Sequence, residues 1–250
     1  MIACVIVRVN ERREDDAQTA HVRLLEQSFR RLLSDGSVDA ATGRHPVFRP
    51  MSDYGSMSRV NETAVLRLHH AVRRTREVTR ERAATGCGPE EANDVAGTFA
   101  TDGALGFDPL PLLRALHDAG SRAVVIGQVA GIMHGSTELT GDLDLLWDGS
   151  PEQARALNDA LAATGCTALP ELDRPQVAYQ VTGVSGDLCT PALPWGDMDV
   201  MPCLTRAVST HDPAGFDIWY ADLDDLILMR RSLGRPKDLR RANELEALRS

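Results

Sequence analysis

Two aspartates with one leucine between them, Asp142-Leu143-Asp144, constrain this chain more than any other feature. They sit in a run, residues 142–147, that reads as a strand. Positions two apart on a strand point to the same face. Asp142 and Asp144 therefore project side by side, while Leu143 and Leu145 turn toward a core. Two carboxylates about 4 Å apart repel by roughly 4 kcal/mol at an effective dielectric near 20. A fold tolerates that strain when a divalent cation lies between them, and hard oxygen donors suit Mg²⁺. Upstream, Ala123-Val124-Val125-Ile126-Gly127-Gln128 reads as a strand entering a glycine turn, and thirteen residues separate Gln128 from Asp142. That first strand lacks polar alternation, so both of its faces should be buried.

The 250 residues suffice for a sizeable core, and no apolar run approaches a membrane span. The first residues lack a basic n-region and a cleavage site, so a signal peptide is not expected. Five cysteines, Cys4, Cys87, Cys166, Cys189 and Cys203, form no C-x-x-C pair. An odd, scattered set argues against disulfides or zinc and fits a reducing cytoplasm. The net charge of −9 is uneven: residues 1–106 hold 15 Arg against 15 acids, and residues 107–250 hold 12 basic residues against 21 acids. An acidic second half is unlike a passive nucleic-acid binder. Of the 27 basic residues only Lys237 is a lysine.

Along the chain, residues 1–95 read as an α-rich extension. Helical spacing is seen over 18–33 and again over 61–82, where Val65, Leu68 and Val72 share a face. The arginines crowding the end of the second helix read as a solvated helix terminus. Residues 96–106 are small and polar and read as a linker. Residues 107–250 form the readable domain, an α/β (α+β) arrangement with a mixed β-sheet flanked by helices. Helices are expected after Asp108-Pro109, over 129–134, from Ser150-Pro151 to 163, over 223–233 and from Pro236 to about 248. Strands are expected at 122–127, 142–147, 176–183, 186–192, 196–201 and 216–220. His134 is read as structural, with its ring bonded to a nearby carbonyl, and Thr140 as a candidate to orient Asp142.

Strand, glycine turn, helix, Asp-x-Asp strand, then a later acid: this order resembles the nucleotidyltransferase superfamily with the DNA-polymerase-β-like palm. The ending, Arg230-Arg231-Ser232-Leu233-Gly234-Arg235-Pro236-Lys237-Asp238, is similar to that of small bacterial AbiEii-type toxin nucleotidyltransferases. The resemblance covers residues 107–250. It implies a nucleotidyltransferase fold and Mg²⁺-dependent transfer of a nucleoside monophosphate from an NTP. Asp142 and Asp144 would hold the metal, and Asp199 would complete the acid triad, with Asp197 as the second choice. Gly127 and Gln128 would receive phosphate oxygens, and Arg230, Arg235 and Lys237 would neutralise the triphosphate. The acceptor it implies first is an RNA end, with an antitoxin protein as partner and no membrane. A small antibiotic or a protein side chain is the second acceptor class. The alternative is a non-catalytic relative that binds nucleotide, RNA or an antitoxin.

Two positions depart from the family pattern. Gln128 stands where Gly or Ser is usual, so its amide is expected beside the triphosphate path. Glu138 stands where Arg is common and is expected near the metal site or paired with an arginine. On that reading, Gln128→Gly together with Glu138→Arg would strengthen nucleotide binding.

Overall fold

The computed structural model describes residues 56–249. The helix expected over 18–33 lies outside the described residues. Seven helices and six strands alternate here. In chain order they are α1 (Ser56–Thr79), α2 (Leu110–Asp118), β1 (Val124–Ile126), α3 (Gly127–His134), β2 (Asp144–Leu146), α4 (Pro151–Ala163), β3 (Gln176–Val181), β4 (Val184–Cys189), α5 (Met201–Arg206), β5 (Val208–Asp212), β6 (Phe216–Tyr220), α6 (Leu223–Leu233) and α7 (Pro236–Ala247). The expected mixed α/β architecture is present. No helix among the described residues is long and apolar enough to cross a membrane. The four described cysteines are unpaired.

The strands form one mixed sheet in the order β3-β4-β2-β1-β6-β5. β1 runs antiparallel to β2 and parallel to β6, and β2 runs parallel to β4. β1 and β2 thus occupy the middle of the sheet, which explains the unbroken apolar run of β1: all three of its residues are buried. Leu143 and Leu145 are fully buried, as the two-residue period requires. β1 ends because Gly127 adopts φ +64°, a left-handed turn that opens α3. The antiparallel register sets Ile126 opposite Asp144, so the glycine turn and the second aspartate lie against each other.

β3 and β4 form a hairpin turning at Thr182-Gly183. The strand expected over 196–201 is absent. Gly196 turns the chain at φ +65°, and the Asp199 carboxylate accepts the Met201 N–H at 3.0 Å, an Asx turn leading into α5. A strand that sequence reading missed, β5, then pairs with β6 at the sheet edge.

The expected domain boundaries move. One compact unit spans Asp53–Ser250, so α1, the helix expected over 61–82, and the 96–106 segment belong with the sheet and not to a separate extension and linker. In α1, Val65, Leu68 and Val72 face inward and are buried, and the helix packs on α3 and β5. His69 of α1 meets the buried Asp212 at 2.6 Å. Short 3-10 turns at Pro89–Glu91, Thr98–Ala100 and Asp102–Ala104 replace the linker. Small residues read as linker because they lack large apolar groups; here their smallness lets the segment pack closely. At Gly141 a Cβ would sit 2.5 Å from Ala104 N and 2.7 Å from Thr98 O.

Candidate active site

A cavity of about 280 Å³ opens where β1 turns into α3 and β2 begins. Gly127, Gln128, Asp142, Asp144, Arg230, Arg235 and Lys237 all line it, so the structure brings together seven of the eight residues that sequence reading singled out. Asp199 is the exception. It is exposed, its carboxylate starts α5, and it does not line the cavity, nor does Asp197.

The third acid in the cavity is Asp187 on β4. Leu188 pairs with Leu145 in the parallel register, and the Leu143 N–H donates to Ser185 O at 2.9 Å. Asp187 therefore stands beside the Asp142/Asp144 pair on the neighbouring strand. Gly186 permits the approach, since a Cβ there would collide with the Leu143 carbonyl. The sequence signal was weak: a short strand in which a glycine precedes the acid and two apolar residues follow it. The Asp197-Met198-Asp199 pattern imitated an acid-bearing strand more strongly than the true one did.

Electrostatics distinguish these acids. Burial pushes the Asp144 carboxyl well above its ordinary value, and the Asp142 and Asp187 charges push it further; the Asp187 backbone N–H and Arg235 oppose the shift. Asp187 is raised for the same reasons, burial first and then Asp142, against a hydrogen bond from Gln176. Asp142 is held by hydroxyls. Its Oδ1 accepts from Thr140 Oγ1 at 2.5 Å, as expected for Thr140, and from Thr98 Oγ1 at 2.7 Å. Thr98 was not anticipated, because nothing in the composition of the 96–106 segment marks a residue that reaches the acids.

The facing wall is cationic. Arg230 on α6 is only 4 % exposed. Its Nη2 donates to Gly127 O at 3.0 Å and to Gln128 Oε1 at 2.9 Å, while its Nη1 is buried with no hydrogen-bond partner among the described residues. Burial, assisted by the neighbouring Arg241, lowers the guanidinium to about 10, so it stays charged at neutral pH. Arg235 binds Asp238 at 2.5 Å and also lies within the field of Asp144. Lys237 reaches the cavity from the first turn of α7 and makes no hydrogen bond or ion pair among the described residues.

The two departures have structural explanations. Gln128 lines the cavity, but its amide is committed to the protein. Both donors are taken, by Ser136 Oγ at 3.0 Å and Glu138 O at 2.8 Å, which turns its carbonyl onto Arg230. Gln128 thus neither blocks the cavity nor offers its amide to it; it holds the arginine. Glu138 is paired with arginines, one of its two expected fates. Its Oε2 meets Arg240 at 2.6 Å and its Oε1 meets Arg241 Nε at 2.9 Å. Burial alone would raise the Glu138 carboxyl, but hydrogen bonds from Arg241 and Arg240 bring it below its ordinary value. His134 is structural as expected, its Nε2 lying 2.8 Å from Ala221 O.

The donor set fits a hard divalent cation: Asp142, Asp144 and Asp187 line one cavity, with a fourth carboxylate, Asp238, paired to Arg235, and burial and then mutual charge raise two of the three. Among the described residues no three His, Cys, Asp or Glu groups are drawn around a single point. No protein-family model and no curated protein matches the chain.

Proposed function

We propose that this chain is a nucleotidyltransferase that moves a nucleoside monophosphate from an NTP to an acceptor hydroxyl with the help of Mg²⁺. One observation carries the reading: Asp142, Asp144 and Asp187 line the same cavity as Arg230, Arg235 and Lys237, and Arg230 keeps a buried Nη1 without a partner among the described residues. A desolvated cation with a free donor calls for an anion, and a carboxylate cluster calls for a cation. Mg-NTP supplies both.

Asp142 and Asp144 would hold Mg²⁺, with Asp187 in place of Asp199 as the third ligand. Bound there, the ion supplies neutralisation of triphosphate charge and polarisation of the reacting oxygens. Gly127 leaves room for the Asp144 side chain beside the turn, and the N–H groups of the first turn of α3 are disposed to receive phosphate oxygens. Arg230 would offer the phosphates its positive charge from the cavity lining, its Nη2 held by Gly127 O and Gln128 Oε1. Lys237 adds a compact point charge, and Arg235 a planar fork partly committed to Asp238. Asp187 Oδ would take the acceptor's proton. An RNA end is the acceptor we put first.

The test is incubation with each labelled NTP, Mg²⁺ and total RNA, followed by separation of labelled products. Transfer by the wild type and none by Asp187→Asn or Asp144→Asn is the expected result. Asp199→Asn should transfer as well as wild type. Nucleotide binding without transfer to RNA, small hydroxylated acceptors or protein would make the chain a nucleotide-binding protein. Absence of binding would remove the reading.

A further inference from the structure

We propose that Thr98 is a positioning residue for Asp142, delivered by a strap formed from residues 93–104; the inference rests on the nucleotidyltransferase reading of the same cavity. Thr98 Oγ1 lies 2.7 Å from Asp142 Oδ1 and 2.9 Å from Thr140 Oγ1, and it accepts the Gly141 N–H at 3.3 Å. With Thr140 donating to the same oxygen at 2.5 Å, Oδ1 carries two hydroxyl donors. Oδ2 is then the oxygen left for a cation. A carboxylate fixed through one oxygen presents the other at a defined angle, as partners behind metal ligands commonly arrange.

The strap is built to hold that hydroxyl. Asn93 Oδ1 accepts the N–H groups of Val95 and Ala96, at 3.0 and 2.8 Å. Arg240 donates to the carbonyls of Asp94 and Val95, both at 3.3 Å. Arg82 holds the far end, donating to Phe99 O at 2.7 Å and also to Thr101 O. Between these clamps Gly97 turns at φ +54°, and a Cβ on it would sit 2.7 Å from Arg241 Nη2. Thr98 lines the cavity and follows that turn directly. Two cationic clamps and a positive-φ glycine flank the residue of the strap that touches the acids. The same Arg240 also grips Glu138, so the segment before β2 and the strap are tied to one side chain.

The experiment titrates Mn²⁺ into the full chain without nucleotide and follows free Mn²⁺ by electron paramagnetic resonance. The proteins are wild type, Thr98→Val, Thr98→Ser, Asp142→Asn and the double variant Thr98→Val/Asp142→Asn. Thr98→Val should weaken Mn²⁺ binding by about 10- to 100-fold, the usual effect of removing a partner behind a metal ligand. Thr98→Ser should restore it. In the Asp142→Asn background the valine should change nothing further. A merely structural threonine would lower the melting temperature and leave the affinity of the folded fraction unchanged. Wild-type affinity in Thr98→Val overturns the inference alone, as does an equal loss in the Asp142→Asn background. If valine prevents folding, Thr98→Ala, which leaves only a small void, takes its place with the same outcomes. A wild type that binds no Mn²⁺ overturns both the inference and the reading beneath it.

Discussion

At Gly127 the chain needs a left-handed turn, and a Cβ there would collide with Asp144 Oδ2. Gly127→Ala should cost about 1–2 kcal/mol from the backbone alone and displace the carboxylate as well. Urea unfolding checks the first effect, and Mn²⁺ titration, in which a variant as tight as wild type would count against us, checks the second. Lys237 stands differently, since it has no hydrogen-bond or ion-pair partner among the described residues to lose. Lys237→Ala should leave the melting temperature unchanged and weaken Mg-NTP binding by about 1.5–3 kcal/mol, the range for a hydrogen bond to a charged group. Unchanged affinity by calorimetry would return Lys237 to an ordinary residue of the first turn of α7. Asp144 offers a pH test in metal-free protein. Its folded value is raised by burial and by Asp142 and Asp187, so between the ordinary carboxylate value and the raised one the folded state binds more protons than the unfolded state. Stability from this group is therefore lost as pH rises through that window. An amide in its place does not titrate, so Asp144→Asn should melt near wild type at about pH 4, the ordinary carboxylate range, and increasingly above it as pH rises. A melting difference that stays flat with pH would contradict the burial argument.

At the scale of elements, Glu138 takes the arginine-paired place expected of it, and that pairing reverses the effect expected of its replacement by Arg. It locks the segment before β2 onto α7 through Arg240 and Arg241. Glu138→Arg would set three arginines together and should destabilise by about 3 kcal/mol, the low end for stripping a buried pair, because Arg240 is half exposed. Adding Gln128→Gly would also release Arg230, so the double variant should bind nucleotide more weakly, contrary to the expectation from the family pattern. Chemical denaturation and nucleotide calorimetry on the same samples decide it. The elements that sequence reading located well carry strong local punctuation. Gly234 and Pro236 bracket the α6–α7 turn, and α6 runs over Leu223–Leu233 as expected. β1 was legible from its unbroken apolar run and Asp142-Leu143-Asp144 from its alternation. β4 was only dimly legible, since a glycine that lets two strands approach looks locally like a breaker. Asp199 misled because an acid opening a short helix and an acid on a strand share the same neighbours in sequence. Thr98 was hidden for a different reason: its partner is 44 positions away and no periodicity connects them.

For the whole molecule, the unit Asp53–Ser250 places the first helix and the strap in the same body as the cavity. A fragment starting at residue 107 would lose the apolar face of α1, with Val65, Leu68 and Val72, together with Thr98. It should fail to melt cooperatively, while a fragment from residue 53 should give a single transition by calorimetry. A cooperative 107–250 fragment would restore the boundary that composition suggested. The basic side chains of the chain include a single lysine, and it lies on the cavity wall. Its ε-amine is therefore the single side-chain address for amine chemistry that ignores guanidinium, the backbone α-amine being the other target. Reductive methylation with ¹³C-formaldehyde would leave one labelled side chain in the entire protein, a spectroscopic reporter already inside the site, whose resonance should move as each candidate nucleotide enters.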